Sequence, residues 1–118
     1  MEKIVEERIR KREEVIKLAK QFVDCASKYL KIKKAILFGS YVRGDFNEWS
    51  DIDILIIVDE IDEINPIKRI EKVMDCLMKY SSVEIVILTV KEYKEKKLKN
   101  NPIIIECEEI GIELTESK

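Results

Sequence analysis

Apolar positions along this chain change their period several times, and each change marks a predicted element. Val15, Leu18, Ala19, Phe22, Val23, Ala26, Tyr29 and Leu30 recur at three-four spacing, which predicts a helix over residues 1–30 with one apolar stripe lying on a sheet. Its charged stretch through Arg12 is expected to project into solvent. Ala35–Phe38 is a short apolar run that stops at Gly39 and reads as a strand. Ser40–Gly44 reads as a helical turn, and Asp45–Ser50 as a polar turn interrupted by Phe46 and Trp49. Over Asp51–Val58 the period becomes two. Ile52, Ile54, Ile56 and Val58 point one way, and Asp51, Asp53, Leu55 and Ile57 the other. Beyond Asp53 both faces are apolar, which predicts a central strand covered on both sides.

The second half repeats the helical period. Asn65-Pro66 is a good helix start, with Asn at the cap and Pro at the first position. The expected inward stripe is Ile67, Ile70, Val73, Met74, Leu77 and Met78. Val83–Leu88 reads as the third strand. Thr89 and Glu92 form a capping box for a lysine-rich helix to about Lys99. Asn101-Pro102 starts a last helix that Gly111 ends, and Ile112–Leu114 is a candidate short strand. This order predicts an α+β fold, a small mixed sheet with helices packed on it, in one domain spanning 1–118.

Composition narrows the chemistry. The 118 residues are 46% hydrophobic and 39% charged, with net charge −2, so a globular domain is expected and no basic field advertises nucleic acid. Direct nucleic-acid binding is therefore not expected. Histidine is absent. Catalysis must run on carboxylates, hydroxyls, lysine, arginine or a metal held by oxygen. Cys25, Cys76 and Cys107 fit no zinc spacing and read as unpaired, mostly buried thiols of a reducing cytoplasm. No signal peptide or membrane span is apparent, so a cytoplasmic location away from membranes is expected. The wealth of Ile, Lys and Glu, with Gln21 the only glutamine, resembles heat-adapted proteins.

Two carboxylates head the central strand. Alternation puts Asp51 and Asp53 on one face, roughly 7 Å apart along the strand. Unpaired, they repel, and one tends to take up a proton. A hard divalent cation removes the conflict, since Mg²⁺ accepts one or two carboxylates and completes its shell with water and phosphate. Glu84 is the only charge in Val83–Leu88, and on a neighbouring strand it sits beside Asp53. Three carboxylates so placed suit two ions clamping a phosphoryl group. Gly39-Ser40, ending a strand ahead of a helical turn, offers close backbone approach and a hydroxyl to phosphate. The plainer alternatives are a solvated strand start for Asp51 and Asp53 and a surface edge position for Glu84.

Gly39-Ser40, ten residues, then Asp51-Ile52-Asp53 resembles the signature of the DNA polymerase beta-type nucleotidyltransferase superfamily. Gly39-Ser40-Tyr41-Val42-Arg43-Gly44, with Ser50 before Asp51, resembles its minimal nucleotidyltransferase (MNT) branch over almost the whole chain. The resemblance implies a nucleotidyltransferase fold. Asp51 and Asp53 would hold two Mg²⁺, and Glu84 would be the third catalytic and metal-binding acid. Gly39, Ser40 and Arg43 would bind the nucleotide. One departure is Glu84, where the family usually has aspartate. Arg43 either touches phosphate or braces the loop through Asp45 or Glu48.

The implied reaction is transfer of a nucleoside monophosphate, most simply AMP from ATP, to an acceptor hydroxyl. A chain of this length is expected to lack room for a second substrate-binding domain, so a partner is expected to bring the acceptor. In this branch the resemblance implies a HEPN-type toxin, with the MNT protein as antitoxin. The alternatives are a binding-only antitoxin, using apolar surface near Ile103, Ile104, Ile105 and Ile112, or an accessory subunit of a larger transferase. Lys91, Lys94, Lys96, Lys97 and Lys99 read as a solvated face, or as contacts to triphosphate or an acidic partner. Trp49 reads as a cover over the core, or as a surface on which a base stacks, and Tyr41 and Ser81 as hydroxyls near the site.

Overall fold

The computed structural model describes residues 2–115. Helix α1 (Glu2–Ala26) leads into strand β1 (Ile32–Phe38), the one-turn helix α2 (Ser40–Arg43) and strand β2 (Ile52–Val58). Helix α3 (Pro66–Arg69) and helix α4 (Met74–Lys79) are joined by a 3-10 turn at Ile70–Val73. Strand β3 (Val83–Thr89), helices α5 (Val90–Leu98) and α6 (Pro102–Ile110), and a two-residue strand β4 (Ile112–Glu113) complete the order.

The four strands form one mixed sheet in the order β3-β2-β1-β4. β1 pairs antiparallel with β2 and β4, whereas β2 and β3 run parallel. The parallel pair needs a long crossover, and the α3–α4 segment supplies it. The expected α+β class and the central position of β2 are both observed.

Alternation along β2 divides the core into two layers. Ile52, Ile54, Ile56 and Val58 pack with Val15, Ala19, Phe22, Val23 and Ala26 of α1 and with Val73 and Cys76. On the opposite face Leu55 and Ile57 pack with Ile36, Phe38, Leu88, and Ile104 and Cys107 of α6. Asp53 belongs to this second face by alternation, so the α6 side of the sheet carries the acids.

Several local expectations hold in detail. Asn65 and Asn101 each accept a hydrogen bond from the second helical N–H, at 2.9 and 3.0 Å, with Pro at the first turn. Thr89 and Glu92 close a reciprocal capping box at the start of α5. Gly111 ends α6 without a left-handed cap, since its φ is −59°. It is required there because a Cβ would collide with the Cys107 carbonyl and the Ile36 side chain.

Two expectations are corrected. The α3–α4 segment keeps Ile70, Val73 and Leu77 of the expected stripe against the core, but Arg69 and Cys76 are buried as well, while Ile67, Met74 and Met78 are exposed. A buried arginine and the change to 3-10 winding at Ile70–Val73 rotate the stripe away from its ideal helical phase. The cysteines are not all free thiols. Cys25 and Cys76 form a disulfide between α1 and α4, with Cα atoms 5.9 Å apart, and Cys107 alone is an unpaired thiol among the described residues.

Candidate active site

β1 runs toward the edge of the sheet where β2 begins, so the end of one strand meets the start of the other. Phe38 pairs with Asp53 across the ladder, and Gly39 follows immediately. Gly39 has φ +89°, and a Cβ at this position would collide with Asp53 Oδ2. Only glycine satisfies both conditions. The chain then enters α2, where the Val42 and Arg43 N–H groups donate back to the Gly39 carbonyl.

β2 and β3 bring the acids together. Asp53 stands in register with Glu84 on the neighbouring parallel strand, and Asp51 lies just before β2. Asp51 is exposed, Asp53 half-buried and Glu84 exposed. Glu84 therefore is a surface residue on an edge strand and also the neighbour of Asp53. All three open to solvent at the strand ends, beside Gly39 and the partly exposed Ser40.

The charges are out of balance. Burial raises the Asp53 carboxyl to about 6, and the neighbouring carboxylates of Glu84 and Asp51 add to the effect, with Arg43 opposing it. Glu84 is also raised, first by the charge of Asp51, then by burial and a hydrogen bond to Asp51. This is the pattern of like charges sharing one site, and such clusters concentrate at functional positions.

Glu106 is a fourth acid that sequence reasoning missed. Reaching from α6, its Oε2 accepts from the Gly39 N–H at 3.2 Å, and its Oε1 accepts from Arg43 Nη1 at 2.6 Å. Arg43 Nε also donates to Asp45 at 3.3 Å. The brace through Asp45 is thus present, with Glu106 rather than Glu48 as the second partner. The accessible signal was weak: a carboxylate between the inward Ile104 and Cys107 of a helix bounded by Asn101-Pro102 and Gly111.

The loop between Gly44 and Ser50 is held from behind. Arg8 donates to the carbonyls of Gly44 and Phe46 at 2.6 and 3.2 Å. Its guanidinium lies 4.0 Å from the centre of the Phe46 ring. The outer half of α1 is otherwise exposed as expected. Phe46 stacks on Tyr41 at 4.7 Å, and the Tyr41 hydroxyl donates to the Ser50 carbonyl at 3.4 Å. Tyr41 is therefore a buried wedge under the loop, not a hydroxyl presented to the site. Trp49 is 83% exposed and covers no core. Ser81 is exposed in the turn before β3. The lysines of α5 are all exposed, the solvated-face arrangement. Lys97 ties back to Glu108 at 3.0 Å. Of the isoleucines considered as an interface, Ile104 is buried, Ile112 packs against the core, and Ile103 and Ile105 are exposed.

Among the described residues no three acidic or thiol side chains converge closely enough to hold a metal ion unaided. Mg²⁺ does not demand such a cage, since it usually takes one or two carboxylates and fills its shell with water and phosphate oxygens. The donors at hand are hard oxygens, and Asp53 carries unrelieved repulsion from Glu84 and Asp51. This half-built, acid-rich site fits Mg²⁺ delivered with a triphosphate.

Residues 16–113 match the family described as Nucleotidyltransferase domain. The chain belongs to that family, as a minimal nucleotidyltransferase domain, and is a transferase enzyme. It is 37% identical over 103 residues to a protein of Methanocaldococcus jannaschii named "Putative protein adenylyltransferase MJ0141", covering 86% of this chain and 99% of that protein. It is 45% identical over 85 residues to "Putative protein adenylyltransferase MJ0604" of the same organism, covering 70% of this chain and 80% of that one. The fold matches the crystal structure of a "putative nucleotidyltransferase" from Sulfolobus solfataricus with a TM-score of 0.63 and 29% identity, over 75% of this chain and 78% of that one.

Proposed function

We propose that this enzyme transfers AMP from ATP to a hydroxyl of a partner protein, with Mg²⁺ bound by Asp51, Asp53 and Glu84. The observation that carries the reading is the in-register pairing of Asp53 with Glu84, with Asp51 adjacent and the Gly39-Ser40 turn pressed against Asp53. The names of the two Methanocaldococcus jannaschii relatives support a protein as acceptor.

The residues divide the work. Ser40 and the backbone after Gly39 receive the terminal phosphates, and Arg43 adds positive charge beside them. Bound Mg²⁺, as two ions, supplies neutralisation of the triphosphate and of the acids. Glu84, exposed at the strand end, is placed to take the proton of the incoming hydroxyl. The acceptor oxygen forms a bond to the α-phosphorus as the bond from that phosphorus to the bridging oxygen breaks, and pyrophosphate leaves with the electron pair.

The acceptor is proposed to be a HEPN-type toxin, with this protein as its antitoxin. A cytoplasmic location is proposed. The Cys25–Cys76 bridge removes the argument from free thiols, but disulfides also occur inside heat-adapted cells. No helix among the described residues is long and apolar enough to cross a membrane.

The test is label transfer from alpha-labelled ATP with Mg²⁺, with and without the protein encoded beside this one. Label on that partner, lost in the Asp51→Asn/Asp53→Asn variant, is the expected result. A tight complex that forms without label and survives the substitutions overturns it. That outcome would favour the second reading, a binding-only antitoxin or accessory subunit, for which the exposed Ile103 and Ile105 offer apolar surface.

A further inference from the structure

We infer that Glu106 is a positioning residue of the nucleotide site, holding Arg43 and the Gly39 peptide in the arrangement that receives the triphosphate. The inference rests on the nucleotide-binding reading above and adds to it a residue that the motif does not contain.

Arg43 is the cation that opposes the carboxylates acting on Asp53. It extends from a one-turn helix, and its side chain is 44% exposed. A long exposed side chain loses much rotamer freedom when it is fixed on a ligand. Its two carboxylate partners are unequal. Asp45 is 63% exposed and sits 3.3 Å away in the same loop. Glu106 is 22% exposed and 2.6 Å away, on a helix anchored by the buried Ile104 and Cys107. The fixed partner is therefore Glu106. Glu106 and Asp45 engage Nη1 and Nε, which leaves the Nη2 corner of the guanidinium to face a phosphate oxygen.

The second oxygen of Glu106 acts on the turn itself. By accepting from the Gly39 N–H, it fixes the peptide that must clear Asp53. One carboxylate thus sets the separation between the arginine and the acidic cluster. An amide at position 106 cannot accept from both donors through both of its terminal atoms, because its nitrogen only donates.

The experiment is calorimetric titration of Mg·ATP into the unsubstituted chain, Glu106→Gln, Arg43→Ala and the double variant, with folding checked by circular dichroism. Glu106→Gln should weaken ATP binding about tenfold when Arg43 is present. It should change binding less than about twofold in the Arg43→Ala background, where the amide oxygen is free to accept from the Gly39 N–H and only the Arg43 contact was at stake. Equal losses in both backgrounds would mean a general structural role and overturn the inference. So would tighter binding by Glu106→Gln, which would make Glu106 an internal competitor of the phosphate. Glu106→Asp keeps the charge but retracts it, and it should show the same Arg43-dependent loss if the glutamine variant does not fold. Failure of the unsubstituted chain to bind ATP would overturn the nucleotide reading and this inference together. Unchanged binding in Glu106→Gln would overturn the inference alone.

Discussion

Two charged clusters occupy the two ends of the β2–β3 pair, and they differ in whether their charges are matched. At the far end Arg69 is 2% exposed and engaged at all three of its guanidinium nitrogens. Its guanidinium donates to both Glu92 oxygens at 2.6 and 3.1 Å, to the Ile87 carbonyl at 3.0 Å and to the Glu63 carbonyl at 2.6 Å. Glu92 in turn closes the capping box on Thr89. At the near end Asp51, Asp53 and Glu84 cluster, and Arg43, paired with Glu106, is the cation that acts on Asp53. The carboxyl groups respond in opposite directions: Arg69 holds Glu92 below the usual carboxylate value, and burial with like charges pushes Asp53 up to about 6. A matched cluster ties elements together, whereas an unmatched one stores repulsion that a cationic ligand can relieve.

The contrast breaks most sharply under substitution. Asp51→Asn/Asp53→Asn should reduce AMP transfer on the order of a thousandfold or more, read by label incorporation. Urea unfolding of the same variant should show equal or greater stability, because repulsion is removed. Arg69→Met should do the reverse. It leaves Glu92 partly buried without its partner and should cost about 3–5 kcal/mol in urea unfolding. ATP binding per folded molecule should be unchanged. Arg69→Met/Glu92→Met should recover much of that loss, because a well-packed apolar pair can replace a buried ion pair.

The disulfide offers an intermediate test, lying in the core layer on the α1 face of the sheet, opposite the face that carries Asp53. Its closed loop spans a sequence separation of 51 residues, so Cys25→Ala/Cys76→Ala should lower stability by about 2–4 kcal/mol. Reductant should have no further effect on that variant.

Acid titration gives the smallest but most direct comparison. Glu92 has a lowered folded pKa, so its stabilisation is complete above its unfolded value of about 4.3 and is lost as pH falls through the folded value. Asp53 has a raised folded pKa, so without Mg²⁺ it costs stability as pH rises from about 4 to about 6. Glu92→Gln should flatten the first slope and Asp53→Asn the second, in urea midpoints measured across that range. Glu84→Gln should move the Asp53 carboxyl down toward its ordinary value, observed by carbon-detected NMR titration. An unmoved Asp53 would mean that Glu84 contributes nothing to its raised value, leaving burial and Asp51 as the cause.

Much of the candidate site was legible because it is written in short-range terms. Gly39-Ser40 ends one strand, Asp51 and Asp53 alternate onto one face of the next, and the isolated Glu84 starts a third. Two strands in register bring Asp53 to Glu84 without any further information. The Asn-Pro starts and the Thr89–Glu92 box were legible for the same reason, since caps are made within three residues.

What the sequence by itself determined is therefore the set of elements, the buried faces of β2, the acidic motif and the family to which it belongs. Tertiary structure decided the rest. Glu106 meets Gly39 across 67 residues, Cys25 meets Cys76 across 51, and Arg69 meets Glu92 across 23. It also chose which face of the α3–α4 segment turned inward, exposing Ile67, Met74 and Met78. Periodicity records the direction in which a side chain leaves its own helix or strand. Its partner depends on how that element is rotated and docked on the sheet, and no local spacing fixes those two quantities.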